Sequence, residues 1–136
     1  MAARSQSGEY GDITMKSSKP SKQRKSFFQA PVHLRRKMLA ARLAEDLRQK
    51  YGVRGLPVRT GDSVRVMRGD FGGLEGKVER VDYEKGRVYV EGMTREKAAG
   101  VASKLPVHAS KVLITNLNLS DKWRSGLLAE KGKREK

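Results

Sequence analysis

The stretch that decides the fold is residues 61–81, GDSVRVMRGDFGGLEGKVERV. At its first end, valines alternate with polar residues, and at its second end two valines flank a pair of polar residues. Such patterns are typical of strands that bury one face. Between these runs lie Gly69, Gly73 and Gly76, which allow positive φ angles or the close approach of another backbone. The stretch therefore predicts a β-hairpin that begins at Gly61 and carries a glycine-rich loop.

The sequence around the hairpin extends this pattern. Val88 and Val90 flank Tyr89, and residues 111–114 form another β-rich run. Short strands at this spacing, with Gly or Pro between them, are typical of a small barrel. We therefore predict a mainly β domain over residues 53–116, as the single core of a chain of this length.

The charge of the chain restricts its partners. Its 136 residues carry 30 Lys and Arg against 15 Asp and Glu, a net charge of +15. So large a positive field indicates a polyanionic partner, either nucleic acid or an anionic membrane surface. No apolar run is long enough to enter and cross a bilayer, and no secretory segment is visible. The chain has no Cys and two His, so we expect no disulfide and no thiolate or histidine-rich metal site. Because no active site is apparent in the sequence, we expect neither a cofactor nor a small-molecule substrate.

The residues before the predicted barrel fall into two segments. Residues 1–30 have few aliphatic side chains and many Ser, Gly, Lys and Gln, which predicts a basic extended arm that becomes ordered only against a partner. Residues 31–52 place apolar side chains at three- and four-residue intervals between Leu34 and Tyr51, which predicts one interrupted helix or two short ones ending at Gly52. Nearly all charges on this helical segment are positive, which favours contact with nucleic acid over a merely solvated face.

Residues 117–136 are predicted to form a helix and a tail. Ser120 is a candidate cap for a helix over residues 121–130. Trp123, Leu127 and Leu128 are expected to anchor that helix on the barrel.

Several aromatic and histidine side chains have two interpretations. Phe27 and Phe28 could stack on unpaired bases or pack on the barrel; we expect at least one to pack, and the other stays open. For His108 and for the pair Tyr83 and Tyr89, structural roles are favoured over chemistry.

Two motifs carry a resemblance to a known family. The Gly-x-x-x-Gly-x-x-Gly-Lys-Val pattern of residues 69–78 resembles the KOW motif, and the Val-Glu-Gly-Met-Thr-Arg stretch of residues 90–95 resembles a turn of the large-subunit ribosomal protein family numbered twenty-four in bacteria and twenty-six in eukaryotes. Its archaeal and eukaryotic members are also similar at residues 24–25, 30–31, 33–35, 47–48, 50–52, 106–108, 111–112 and 119–124, so the likeness covers roughly residues 20–124.

The resemblance implies a small SH3-like barrel with a KOW hairpin and a function in the ribosome. It implies a structural constituent of the large subunit that binds large-subunit rRNA, acts in assembly and lies near the peptide exit tunnel of cytoplasmic ribosomes. Neighbouring large-subunit ribosomal proteins are the expected protein partners, without membrane insertion. Gly72 and Leu74 stand where the family commonly has Lys or Arg, so loop contacts with RNA would depend more on backbone groups.

The candidate RNA contacts combine the basic segments with the positions that match the family. They are Lys19, Lys22, Arg24, Lys25, His33, Arg35, Arg36, Lys37, Arg42, Arg65, Arg68, Lys77, Arg80, Thr94, Arg95 and Lys97. The glycines of the hairpin are Gly61, Gly69, Gly73 and Gly76.

Three other functional classes fit the sequence less well. A transcription elongation factor with a KOW domain would normally bring an additional α/β domain, and too few residues precede the barrel for one. An RNA-cleaving enzyme needs a carboxylate cluster or a paired general base, and Asp62, Asp70, Glu75 and Glu79 show no metal-ligand spacing. Asp70 is instead expected to bond local backbone in its turn. A membrane-surface protein would need a larger apolar helix face.

Overall fold

A computed structural model describes residues 17–134 of the chain. The residues of the predicted arm before position 17 lie outside the described part. The helices are α1 (Pro20–Gln29), α2 (Val32–Met38), α3 (Glu45–Tyr51) and α4 (Lys122–Arg134). The strands are β1 (Ala40–Leu43), β2 (Gly55–Pro57), β3 (Ser63–Val66), β4 (Glu75–Asp82), β5 (Arg87–Glu96), β6 (Ala102–Val107) and β7 (Val112–Asn116).

The seven strands form one curved sheet. Their order is β2-β1-β7-β3-β4-β5-β6, with β1 and β7 parallel and the other neighbours antiparallel. The long β4 pairs with β3 through Glu75 to Lys77 and with β5 from Val78 onward, with a register shift before Arg80. Such an irregularity bends a strand and lets one sheet close on itself. The prediction of a mainly β, small SH3-like barrel is confirmed.

The core follows the alternation seen in the sequence. Val64 and Val66 of β3, Val88 and Val90 of β5, and Ile114 of β7 are buried, while the residues between them face outward or lie at the edge. The burial of these β-branched side chains from neighbouring strands is the main source of the barrel's stability.

The glycine-rich loop has the predicted backbone geometry. Gly69 and Gly73 have φ angles of 93° and 91°, where a side chain would be strained. Gly76 serves the other purpose, because a Cβ there would lie 2.6 Å from the carbonyl oxygen of Glu91 on β5.

The segment before the barrel differs from its prediction in two ways. Part of the predicted extended arm is helical, since α1 begins at Pro20, a residue that suits the first helical turn. The helical segment does contain two short helices, and α3 ends at Gly52 with a φ of 65°, as predicted. However, strand β1 lies between these helices.

Strand β1 was missed because its apolar residues satisfy two periods at once. Leu39, Ala41 and Leu43 are buried with a spacing of two, but Leu39 and Leu43 also fit the four-residue spacing of a helix. Pairing with β2 and β7 decides for the strand. The barrel therefore begins near residue 40, and the predicted boundary at 53 is wrong.

The C-terminal helix is longer than predicted and has different anchors. Its first turn is capped by Asp121, whose Oδ1 accepts from the backbone N–H of Trp123 at 3.0 Å, and not by Ser120. Trp123 is 82% exposed and Leu127 is half-exposed, so their predicted anchoring is wrong. Leu128 is buried as expected, together with Arg124.

Candidate nucleic-acid interface

The first group of predicted contacts lies on and just before α1. Lys22, Arg24 and Lys25 are exposed on this helix, and Lys19 is exposed beside its first residue. No residue of α1 is buried. There is no Asp or Glu between residues 17 and 44, so no carboxylate of the same segment offsets the positive charge of this helix.

Arg35 differs from the other predicted contacts because its guanidinium is turned toward the protein. It donates to the carbonyl oxygens of Ala30 at 2.8 Å, Phe28 at 2.6 Å and Glu84 at 3.4 Å. These bonds join the end of α1 and the start of α2 to the turn between β4 and β5. Arg35 therefore positions the two helices, a role that a list of basic residues does not reveal.

A first groove, here called the helix cleft, lies between α2, the segment after β2 and α4. It has a volume of about 690 Å³ and includes His33, Arg36 and Lys37 among its lining residues, as well as Arg59 and Lys131. The guanidinium of Arg36 lies 5.5 Å from the ring centroid of Tyr83, which holds the cation at the wall of the cleft.

A second groove, the aromatic groove, lies between the first two helices and the barrel. Phe27, Phe28 and Tyr89 line it, and so do Lys85 and Arg87. Tyr83 lines both this groove and the helix cleft, so the two are adjacent.

A third groove, the hairpin groove, runs beside the KOW loop. Its cationic lining consists of Arg68, Arg87, Arg95 and Lys111, with His108. Arg87 and His108 also line the aromatic groove. The three grooves therefore form one continuous track, lined by eleven Lys or Arg side chains against three acidic ones. Arg35 and the buried Arg124 are among the eleven and donate to protein groups.

Some predicted contacts in the hairpin region are paired with acids. Arg95 of β5 donates to the carboxylate of Asp70, in the loop between β3 and β4, at 3.0 Å. The Asp70 side chain therefore bonds a different strand and not, as predicted, the backbone of its own turn. Arg65 is paired with Glu75. Arg68 and Lys77 are exposed, and the guanidinium of Arg80 lies 5.9 Å from the ring centroid of Tyr89.

The remaining predicted residues line none of the three grooves, and the same is true of the predicted contacts on and before α1 and of Arg65, Lys77 and Arg80. Thr94 and Lys97 are exposed near the far end of β5, where the Lys97 N–H donates to the carbonyl of Val101 at 2.9 Å. Arg42 is exposed on β1. Gly61 has a φ of 88° and donates its N–H to the Val78 carbonyl at 2.9 Å. The predicted residues thus form separate groups: α1, the helix cleft, the hairpin groove and single outer positions.

Sequence reasoning missed five exposed or partly exposed cations that line the track: Arg59, Lys85, Arg87, Lys111 and Lys131. No pattern in the sequence selects these five among 30 Lys and Arg. Their role depends on how the sheet curls, because β5 and the turn before β7 are brought together only by the barrel.

One arginine in the same part of the fold is buried. Arg124 donates to both carboxylate oxygens of Asp62, at 2.6 and 2.7 Å, and to the carbonyl oxygens of Asn118 and Pro57. Asp62 also accepts from the backbone N–H groups of Arg59 and Asn118. Both charges are thereby satisfied, so this bidentate pair fixes α4 to the barrel.

A second, exposed pair lies beside it. Arg59 donates to Asp121, the cap of α4. This hydrogen bond, followed by the one from the backbone of Trp123, lowers the pKa of the Asp121 carboxyl below its usual value.

Residues 17–134 contain neither a membrane-spanning helix nor a group of metal ligands. None of the helices there combines the length and the apolar character that a bilayer span requires. In the same residues no three His, Asp or Glu side chains are grouped closely enough to hold a metal ion.

Comparison with known proteins identifies the family. A family model that describes the ribosomal proteins L26 of eukaryotes and their archaeal L24 counterparts matches residues 17–131. The chain is 50% identical over 120 residues to "Large ribosomal subunit protein uL24" of Korarchaeum cryptofilum (strain OPF8), covering 88% of this chain and 92% of that protein. It is 52% identical over 119 residues to the protein of the same name from Sulfolobus acidocaldarius, covering 88% and 89%. These matches confirm the resemblance and identify a structural, non-enzymatic component; the chain belongs to the family of eukaryotic L26 and archaeal L24 ribosomal proteins.

Proposed function

We propose that this protein is a constituent of the large ribosomal subunit that binds large-subunit rRNA through the track of three grooves. The observation that supports the proposal is the continuity of the track, which joins cations from α2, α4, β5 and the KOW loop. Cations on such a track neutralise phosphates and release counterions, which gives strong and salt-sensitive binding. The rigid barrel fixes the spacing of the cations, so the shape of the RNA fold supplies specificity.

The exposed lysines and arginines of α1 extend this surface. Because α1 buries no side chain, its contribution to the barrel's stability is small and its charges are available to RNA. Together the arm and the track would tie neighbouring RNA segments to one small body. Such a role suits a protein that acts in subunit assembly, near the peptide exit tunnel of cytoplasmic ribosomes and beside neighbouring ribosomal proteins.

The track is tested with two variants that lose the same number of positive charges at different places. In the track variant, Lys85, Arg87 and Lys111 are replaced by Gln; in the control variant, Lys50, Arg54 and Lys122, which are exposed and lie outside the three grooves, are replaced by Gln. Affinity for large-subunit rRNA is measured over a range of KCl concentrations. Three lost phosphate contacts reduce the slope of log affinity against log salt by about 2–3.

The two variants lose the same net charge, so a general electrostatic effect would reduce the slope equally in both. We expect the slope to fall only in the track variant. Equal slopes in the two variants would overturn the track as the binding surface.

The ribosomal setting is tested separately. Native protein should sediment with large subunits in a sucrose gradient, and its depletion should cause incomplete large subunits to accumulate. Crosslinking to a nascent chain in stalled ribosomes would place it near the exit tunnel. Free sedimentation at low salt would contradict the ribosomal function altogether.

A further inference from the structure

Two phenylalanines lie exposed at the mouth of the aromatic groove. Phe27 is 53% and Phe28 is 70% exposed. Their ring centroids are 5.5 Å apart and the rings are nearly perpendicular, at 85°. A T-shaped pair covers one face of one ring and leaves both faces of the other open, whereas stacked rings would cover one face of each. Because both rings are exposed to solvent, they contribute little to the packing of the free protein, and exposed apolar groups of this kind often mark a binding site.

The position of this pair is fixed by hydrogen bonds and not by burial. Arg35 donates to the carbonyl of Phe28 itself and to that of Ala30, at 2.6 and 2.8 Å. Its third bond, to Glu84, connects the same guanidinium to the turn between β4 and β5. The rings are therefore held over the groove before any partner arrives, which reduces the entropy lost on binding.

The groove that the rings line combines apolar and cationic side chains within a volume of about 420 Å³. Met38, Tyr89 and Pro106 are among its apolar residues, and Lys85 and Arg87 are exposed cations of its lining. Glu84 is the one acidic residue of the lining. An aromatic surface beside cations that track a phosphate backbone is the chemistry of sites for unpaired nucleotides.

We propose that the aromatic groove binds a single unstacked base of the RNA, with its base against Phe27 and Phe28 and its phosphate toward Lys85 and Arg87. The proposal rests on the rRNA binding proposed above and adds a base-binding subsite to it. The positive charge of Lys85 and Arg87 decides between an RNA base and an apolar protein segment. This charge complements phosphates, as do the exposed Lys22 and Lys25 on the helix that carries the two rings, and an uncharged protein segment would gain nothing from it.

The experiment separates stacking from charge. The full chain and the double variant Phe27→Leu/Phe28→Leu are titrated with a short oligouridine and with an abasic ribose-phosphate oligomer of the same length. Loss of one stacked base lowers the affinity for oligouridine by roughly five- to 150-fold. The affinity for the abasic oligomer and both salt slopes should remain unchanged, because no phosphate contact is removed.

Two further variants serve as controls. Phe27→Tyr/Phe28→Tyr keeps both aromatic faces and should restore oligouridine affinity. Trp123→Leu removes an exposed aromatic ring that lies outside the three grooves and should have no effect. Short-wave ultraviolet crosslinking to rRNA should modify the peptide that contains Phe27 and Phe28.

Three outcomes would overturn the subsite. The first is equal oligouridine affinity in the Leu variant and in the unaltered chain. If the salt slope for rRNA is normal in that case, the proposed function is not affected. An equal loss for the abasic oligomer would assign the effect to charge. Unchanged RNA binding with loss of a neighbouring protein in reconstituted subunits would assign the groove to a protein segment. Absence of rRNA binding by the unaltered chain would contradict the proposed function itself.

Discussion

Two helical regions lie outside the barrel, and each is rich in Lys and Arg: the N-terminal helices α1 and α2, and the C-terminal helix α4. They are attached in opposite ways. Helices α1 and α2 bury no side chain and are held to the barrel by Arg35 through backbone carbonyls. Helix α4 buries Leu128 and the whole guanidinium of Arg124 against Asp62. Positive charge therefore occurs in two settings: a buried arginine fixes α4 to the barrel, whereas the cations of α1 are exposed to solvent.

The largest expected effect comes from breaking the buried pair of α4. Arg124→Ala leaves Asp62 buried without its charge partner, and removal of one member of a buried pair costs about 3–5 kcal/mol. The free energy of unfolding from urea titration measures this loss. Arg124→Lys keeps the charge but not the two parallel bonds, so it should be intermediate.

The matched control is Arg95→Ala, which breaks the exposed pair with Asp70. An exposed pair contributes at most about 1 kcal/mol. If Arg124→Ala lost no more stability than Arg95→Ala, the buried pair would not be the anchor of α4, and the contrast between the two ends of the molecule would disappear.

A smaller effect is expected from the two glycines of α4. A Cβ at Gly132 would lie 2.6 Å from the backbone carbonyl oxygen of Tyr51, where α4 meets the end of α3, whereas a Cβ at Gly126 would meet nothing within 4 Å. Gly132→Ala should therefore destabilise by about 1–2 kcal/mol, because a backbone atom must move. Gly126→Ala should stabilise by about 0.5–1 kcal/mol through helix propensity.

The same urea titration distinguishes the two substitutions, which are chemically identical and lie in one helix. Opposite signs are the expected result. A stabilising Gly132→Ala would show that α4 is not packed closely on α3, and that its attachment depends on the ion pair alone.

The contrast between the two ends also explains what the sequence could predict. The alternation of valines and the glycine spacing of residues 61–81 are local signals, so the hairpin, the barrel class and the stop at Gly52 were predicted correctly. The functions of Arg35 and Arg124 depend on partners elsewhere in the chain: the carbonyl of Glu84 and the carboxylate of Asp62. The 62-residue separation of Asp62 from Arg124 is far beyond any periodic pattern.

Trp123 also shows a limit of prediction from sequence spacing. Its spacing to Leu127 predicted an apolar anchor, yet the buried face of α4 contains Arg124 and Leu128, one position further along. A shift of one residue turns a helix face by about 100°, and a single apolar pair cannot fix that angle. The track of grooves was likewise predictable only in part, since the barrel brings Arg87 and Lys111 beside Arg68.

The smallest expected effect concerns the exposed tether of α4, the pair between Arg59 and Asp121. The hydrogen bond from Arg59 holds the pKa of Asp121 below its ordinary value. A lowered folded-state pKa adds stability above about pH 4, the region where the unfolded carboxyl is ionised, and this stability is lost as the pH falls through the folded-state pKa.

Asp121→Asn keeps a side chain that can cap the helix but removes the charge. The difference in Tm between the chain and this variant should thus be greatest near neutral pH and should vanish in strong acid. In an Arg59→Gln background the difference should already be reduced at pH 7, because the main cause of the pKa shift is gone. A Tm difference that stays constant from pH 7 to pH 2 would show that Asp121 acts as a cap alone and that Arg124 supplies the electrostatic attachment of α4.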